Sequence, residues 1–355
     1  MTDAGPPVGI RSIAAHLPPT VVERQQYRYL EALVPTLDLF PKERRVNREL
    51  DAAEAQAVAA AQLAITRAGI TADDIDYIIS QNIGGQFIVP GIGAFVKRAL
   101  GCRIETPAIN IQQVCAGFVD SCRMAWDAII RDPENVKNVL IVNSTAWHTG
   151  EWGVDASDPS AAAVGDGAAA AIISSINVQL EFLSYVNRTH DEIYEDLVVQ
   201  VAAPANPDVL RGINTPQNKA IMRVSDRFPE WMMATGINLP NWLIGGAAEK
   251  AGKTIADVDY IVTHQAQGPT IEMWIEHMSA TESVARERWV HHWDSYGNMG
   301  GADAAVNLEH LLHSKGVGAG ALIAFFSPGG AGHSPTMLLR ATERVEGLAG
   351  NLEVA

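Results

Sequence analysis

The chain has 355 residues, 47% hydrophobic and 19% charged, which is enough to bury a large α/β core. Its formal net charge of −15 withholds the basic footprint that nucleic acid or an acidic membrane surface would need. Cys102, Cys115 and Cys122 are too few and too close for a disulfide framework, which fits a reducing cytoplasm, and no apolar run reaches membrane-spanning length.

Residues 9–14 read as a first short strand. An alanine-rich helical pattern covers 51–68, and Gly69 stops it. Thr71 to Asp74 cap a short turn before a strand at 76–80, and a helix at 92–100 ends at Gly101. The apolar run 108–111 reads as a buried strand. Cys115 follows at a sharp turn, and Ala116-Gly117 open a helix running towards Ile130. A thiol at a helix N-terminus faces the positive end of the dipole and free N–H groups, the setting of a cysteine nucleophile; the alternative is a small buried core residue. Residues 139–143 form a buried strand, and Gly165-Asp166-Gly167 lead into the apolar run 168–173.

The chain also repeats itself. Thr71-Ala72-Asp73-Asp74-Ile75-Asp76-Tyr77-Ile78-Ile79-Ser80-Gln81 returns as Thr254-Ile255-Ala256-Asp257-Val258-Asp259-Tyr260-Ile261-Val262-Thr263-His264. The offset of 183 between Asp76 and Asp259 pairs Gln81 with His264 and Cys115 with Asn298. Strands alternating with helices in both halves imply a layered α/β fold, whose ligands sit beyond the carboxyl ends of strands. We divide it into an N-terminal half, 1–180, carrying the nucleophile, and a C-terminal half, 181–355, carrying His264 and Asn298.

A Cys, a His and an amide suit two chemistries, acyl transfer through a thioester and stabilisation of an enolate made by decarboxylation. Asn298, in the turn Tyr296-Gly297-Asn298-Met299-Gly300-Gly301, can orient or donate hydrogen bonds but cannot act as a base. His264 can be a base or a donor. Both chemistries leave negative charge on a carbonyl oxygen. The backbone N–H groups of Cys115, Gly330 and Ala331 are candidates to receive it, the last two from the turn Gly329-Gly330-Ala331-Gly332.

Val114-Cys115-Ala116-Gly117, Gly165-Asp166-Gly167-Ala168, His264-Gln265-Ala266, Tyr296-Gly297-Asn298 and the C-terminal glycine turn occur in the order found in the thiolase superfamily. Over nearly its whole length the chain resembles β-ketoacyl-acyl-carrier-protein synthase III and its relatives in polyketide and secondary metabolism. The resemblance implies a thiolase fold of five α-β-α-β-α layers, usually a homodimer. It also implies that Cys115 takes an acyl group from coenzyme A or a carrier protein, with no bound cofactor and no metal. His264 and Asn298 would then stabilise the enolate of a decarboxylating malonyl group. A thiolase would need a second catalytic cysteine beyond Cys122, and a hydroxymethylglutaryl-coenzyme A synthase a Glu near Asn82-Ile83-Gly84-Gly85; neither residue is there. Two further alternatives are an acyltransferase delivering to a hydroxyl or amine, and a non-catalytic partner subunit.

Departures from the family bear on the substrate. Gln267-Gly268-Pro269 stands where an Asn and a carrier-docking basic residue are usual, and Asp158 stands where an Arg packs on the coenzyme A adenine. Leu39-Phe40-Pro41 replaces the usual segment before Lys42. Phe87, Val89, Trp147 and Gln267 are the candidate pocket residues, with Glu151-Trp152 near the entrance and residues 198–241 over the channel. In the family the residue before Pro90 reaches across the dimer and closes the acyl tunnel. Val89 is small for that task, so an acyl chain longer than acetyl is expected. His291-His292 and His310…His313 lack partners at metal-ligand spacing and read as structural.

Overall fold

The computed structural model describes residues 6–87, 89–148, 159–201, 220–346 and 348. In the first half, strands β1 (Gly9–His16), β2 (Thr20–Glu23) and β3 (Glu43–Val46) precede helix α1 (Ala52–Ala68) and β4 (Tyr77–Ile83). Helix α2 (Gly93–Leu100), β5 (Ala108–Asn110), α3 (Gly117–Arg131), β6 (Asn138–Thr145) and β7 (Gly167–Ser174) follow. The second half opens on β8 (Leu180–Thr189), then the ribbon β9 (Leu197–Val201) and β10 (Ala220–Val224), helices α4 (Arg227–Ala234) and α5 (Leu239–Lys250), and β11 (Tyr260–Thr263). It closes with α6 (Gly268–Glu282), β12 (Trp289–Val290), α7 (Trp293–Tyr296), α8 (Asp303–His310), β13 (Leu322–Phe326) and β14 (His333–Ala341).

The main sheet runs β12-β11-β13-β14-β8-β1-β7-β6-β4-β5. Its order is one five-strand set met twice, mirrored about the seam between β8 and β1. Within each set the three strands farthest from the seam are parallel and the rest antiparallel, so the internal repeat in the sequence is a repeat in pairing. Local signals repeat too. Thr71 with Asp74 and Thr254 with Asp257 form the same capping box before β4 and β11.

Alternation along the strands sorts the molecule into layers, because successive side chains leave opposite faces. Val139 and Ile141 of β6 and Ile323 and Phe325 of β13 share one core with Phe118 and Val119 of α3 and Val306 and Leu308 of α8. Leu140 and Val142 turn outward onto the alanines of α1. On the other half Ala324 and Phe326 turn outward onto Leu243 of α5 and Trp274 of α6. Helix, sheet, paired helices, sheet and helix are the five layers of a thiolase fold. Every residue of α8 is buried, as befits the middle layer.

One expectation needs correcting. The run 108–111 is not a buried strand: β5 ends at Asn110 and its residues are half-buried to exposed. Among the described residues it is the last strand of the sheet and pairs only with β4, so nothing described covers its outer edge in the single chain. An apolar run alone does not distinguish an edge strand from a central one.

Candidate active site

The backbone enters the Cys115 turn through a conformation that a β-branched residue ordinarily avoids. Val114 has φ +48°, in the left-handed region, at a cost on the order of 1–3 kcal/mol. Gln81, near the end of β4, holds it there. Its Nε2 donates to the Val114 carbonyl, and its Oε1 accepts from the Gln113 N–H at 2.8 Å. Glycines make room for this amide: a Cβ on Gly117 would stand 2.0 Å from Gln81 Oε1, and one on Gly301 2.5 Å from its Nε2. Cys115 then sits in the short 3-10 turn Val114–Ala116 that runs into α3. The Cys115 carbonyl accepts from Ser327 Oγ at 2.8 Å, tying the nucleophile turn to the end of β13. The glycine turn packs here as well, since a Cβ on Gly329 would lie 3.3 Å from the Ala116 nitrogen.

His264 follows β11 directly, and its N–H donates to the Phe326 carbonyl at 3.0 Å. Its ring Nδ1 lies 2.8 Å from Asp303 Oδ1, whose Oδ2 accepts from the Met299 N–H at 3.2 Å. Burial pulls this imidazole down, but the Asp303 carboxylate and the Cys115 sulfur outweigh it and hold His264 well above the ordinary histidine range. Asn298 is fixed through both ends of its amide, Oδ1 accepting from the Gly300 N–H at 2.7 Å and Nδ2 donating to the Ala266 carbonyl at 3.2 Å. One amide hydrogen remains for a ligand. Gln265 braces this turn as Gln81 braces the other, donating to the Gly297 carbonyl and accepting from the His292 N–H at 2.6 Å.

Cys115, His264 and Asn298 line one cavity of about 1140 Å³, beyond the carboxyl ends of the parallel strands of both halves. Gly330 lines it with Gly329 and Gly332, and Ala331 lies in the same turn, Gly330–Gly332. Trp147 and Gln267 are in the wall. Trp147 is pinned by its backbone N–H on Asp166 Oδ1 at 2.6 Å, and Asp166 Oδ2 also accepts from the Asn47 backbone N–H at 2.8 Å, so Gly165-Asp166-Gly167 serves to anchor the wall. Trp231, Met232 and Met233 cover the channel side. Phe87 reaches the cavity while 59% exposed, whereas Val89 is 82% exposed and is not in this chain's cavity wall. Glu151, Trp152 and Asp158 lie outside the described residues.

Sequence reasoning passed over Gln81, Gln265 and Asp303. The repeat had already set Gln81 opposite His264, which was a usable signal; an acid five positions after Asn298 was not one. Of the histidines read as structural, His292 and His310 have ring centroids 4.4 Å apart with the rings tilted, and no group of three or more potential metal ligands occurs among the described residues. No helix among them is long and apolar enough to cross a membrane.

A duplicated five-layer α/β architecture with a cysteine at the head of a central-layer helix, facing a histidine and an asparagine from the other half, defines a thiolase-fold protein. Family models agree. The model for 3-oxoacyl-[acyl-carrier-protein] synthase III matches residues 109–190, and that for its C-terminal part matches residues 248–340. The chain is similar to the synthase III-like proteins of the thiolase superfamily. It is 28% identical over 335 residues to the β-ketoacyl-[acyl-carrier-protein] synthase III of Aliarcobacter butzleri, covering 90% of this chain and 93% of the relative. It is 29% identical over 315 residues to the synthase III of Cereibacter sphaeroides, covering 84% and 88%. In fold it is similar to the synthase III of Aquifex aeolicus (TM-score 0.76, 22% identity, 94% and 99% covered). It is likewise similar to OleA of Xanthomonas campestris (TM-score 0.78, 16% identity, 94% and 98% covered).

Proposed function

We propose that the chain is an acyl-condensing enzyme in a polyketide, fatty-acid or other secondary-metabolite pathway. The observation that carries this reading is the meeting of Cys115, His264 and Asn298 on one cavity beside a glycine turn. The names of the similar synthases support it, as does a similar structure described as a priming β-ketosynthase of a polyketide pathway.

The Cys115 thiolate attacks the carbonyl of an acyl thioester, and the oxyanion turns towards backbone N–H groups of Cys115, Gly330 and Ala331. The donor's thiolate leaves, and the acyl group stays on sulfur. A malonyl-type thioester then loses carbon dioxide, or a β-keto thioester gives its proton to Nε2 of a neutral His264, and the enolate oxygen accepts from Nε2–H of the protonated His264 and from Asn298 Nδ2. The enolate carbon attacks the acyl-Cys115, the C–S bond breaks, and the thiolate returns with a β-keto product released. Residues 1–180 supply the nucleophile in this reading, and residues 181–355 the two donors. Coenzyme A or a carrier protein delivers the substrates.

A homodimer fits the edge position of β5 and the exposed Phe87, Val89 and Ile104, and in this reading Val89 reaches the partner's tunnel. Three free thiols suit the cytoplasm. The test is mass spectrometry of Cys115 after incubation with acetyl-, hexanoyl- and decanoyl-coenzyme A, followed by malonyl-coenzyme A with carbon dioxide measured. Condensation requires an adduct on Cys115 and carbon dioxide released in step with product; decarboxylation without product, or no adduct from any donor, refutes it.

A further inference from the structure

We propose that Asp303 gives this site a second activity, transfer of the Cys115-bound acyl group to an uncharged hydroxyl acceptor, by holding His264 as the tautomer whose Nε2 is a base. The inference rests on the acyl-Cys115 of the preceding section and goes beyond it. Asp303 touches no substrate; it is a positioning residue.

The geometry follows from what a carboxylate can do. Asp303 has no exposed surface, and its Oδ2 already accepts from the Met299 N–H, so Oδ1 meets His264 Nδ1 as an acceptor too. The proton between them therefore belongs to Nδ1. A protonated His264 still carries a second proton on Nε2 and serves condensation as a donor. Once it has given its Nε2 proton to the departing donor thiolate, it keeps the Nδ1 proton and presents the Nε2 lone pair to the acyl-Cys115. A carboxylate at this place thus allows both a donor and a base, whereas a partner that donated to Nδ1 would fix Nε2–H and leave no base.

The step balances without a further reactant. Nε2 takes the proton of the acceptor hydroxyl as its oxygen bonds to the acyl carbon, and the carbonyl electrons move to the oxyanion facing the glycine turn. Collapse breaks the C–S bond. Ester leaves, and Cys115 thiolate remains beside protonated His264, the pair with which the cycle began.

The cavity selects the acceptor. Its described lining holds no Asp, Glu, Lys or Arg, and Phe228, Trp231, Met232, Met273 and Trp274 make one wall apolar. An alcohol enters such a site uncharged, while an alkylamine is a cation at neutral pH and must first be desolvated and deprotonated.

The experiment isolates the acyl-enzyme made with whichever of acetyl-, hexanoyl- or decanoyl-coenzyme A loads Cys115. It then offers ethanol, 1-butanol, 1-octanol or butylamine in one arm and malonyl-coenzyme A in the other, reading ester, amide or β-keto product by mass spectrometry. Ester should form with the wild type, and butyl or octyl ester faster than ethyl ester or amide. Asp303→Asn keeps the shape but can donate to Nδ1, so ester formation should fall about 10²-fold or more. Condensation should fall less than tenfold, so the partition between products moves. A merely structural role lowers both arms together, and that result, repeated with Asp303→Ser, overturns the inference. An acyl-enzyme that condenses but esterifies none of the three alcohols overturns it alone. Failure to form any acyl-Cys115 overturns the condensing reading as well.

Discussion

Asp120 and Asp303 stand 183 positions apart, at equivalent places on α3 and α8, and each carboxylate holds a histidine. His333 Nε2 lies 3.0 Å from Asp120 Oδ2, and His264 Nδ1 lies 2.8 Å from Asp303 Oδ1. The duplication preserved the carboxylate but not its partner, because the same offset takes His264 to Gln81 and not to His333. The two histidines face different surroundings, since His264 lines the cavity and His333 turns to Thr189, whose Oγ1 is 2.9 Å from Nδ1.

The Asp120 copy should therefore matter for stability alone. Asp120→Ala strands His333 and the Tyr185 hydroxyl that donates to Oδ1 at 2.8 Å. A loss of about 1–3 kcal/mol in urea unfolding is expected, with the rate of Cys115 acylation changed less than threefold. A tenfold slower acylation would contradict this.

Cys115→Ala should abolish covalent acylation while the fold survives, because the change leaves a small side chain in the same turn. Cys122 lies one helical stretch further on, fully buried, and burial raises its thiol well above the ordinary range. Cys122→Ala should acylate at the wild-type rate. An adduct that persists in Cys115→Ala, located by peptide mapping, would move the nucleophile elsewhere.

His264→Ala and Asn298→Ala each remove a donor to the enolate. Both should lose the malonyl step by about 10²-fold or more, yet still take an acyl group onto Cys115. Single-turnover measurements separate the two steps. Unchanged carbon dioxide release by Asn298→Ala would remove that residue from the decarboxylation.

Burial pushes His310 and His313 down to about 4, so both rings are neutral in the folded chain at pH 7. Unfolded histidines bind protons near pH 6.5. Below that pH the unfolded state holds more protons, and stability must fall as pH drops, levelling once the folded rings titrate near 4. Each ring contributes a slope on the order of 1.4 kcal/mol per pH unit in that window. Urea unfolding between pH 7 and pH 4.5 measures it, and His313→Gln should flatten the slope; an unchanged slope would exclude His313 as a source.

Val89→Phe should shift the donor preference towards shorter chains if the residue plugs the tunnel of a partner subunit. Each buried methylene displaced is worth about 0.8 kcal/mol, roughly fourfold in affinity. The readout is the acylation rate of Cys115 with acetyl- against decanoyl-coenzyme A, beside the oligomeric state by sedimentation. A monomer, or a profile in which acetyl is fastest in both proteins, would refute the plug.

How much was legible without coordinates follows from the range of each interaction. Capping at Thr71 and Thr254, the stop at Gly69, and the placing of Cys115 at a helix head are written in neighbouring residues, since they depend on hydrogen bonds within a turn. The repeat carried this further: the same local signals 183 residues apart implied the same pairing twice, and so a common end of the sheet for Cys115, His264 and Asn298. What no local pattern could report was which partners cross between elements. Gln81 bracing Val114, Asp303 holding His264, and Val89 standing clear of its own cavity depend on side chains from distant strands and helices meeting in three dimensions. The edge position of β5 was hidden for the same reason, because an apolar run records that a strand wants cover and not which surface provides it. Local signals and the repeat determined a layered α/β fold and the nucleophile's helix; only the packing of one half on the other decided how the histidine is oriented, and with it what chemistry the cysteine is set to perform.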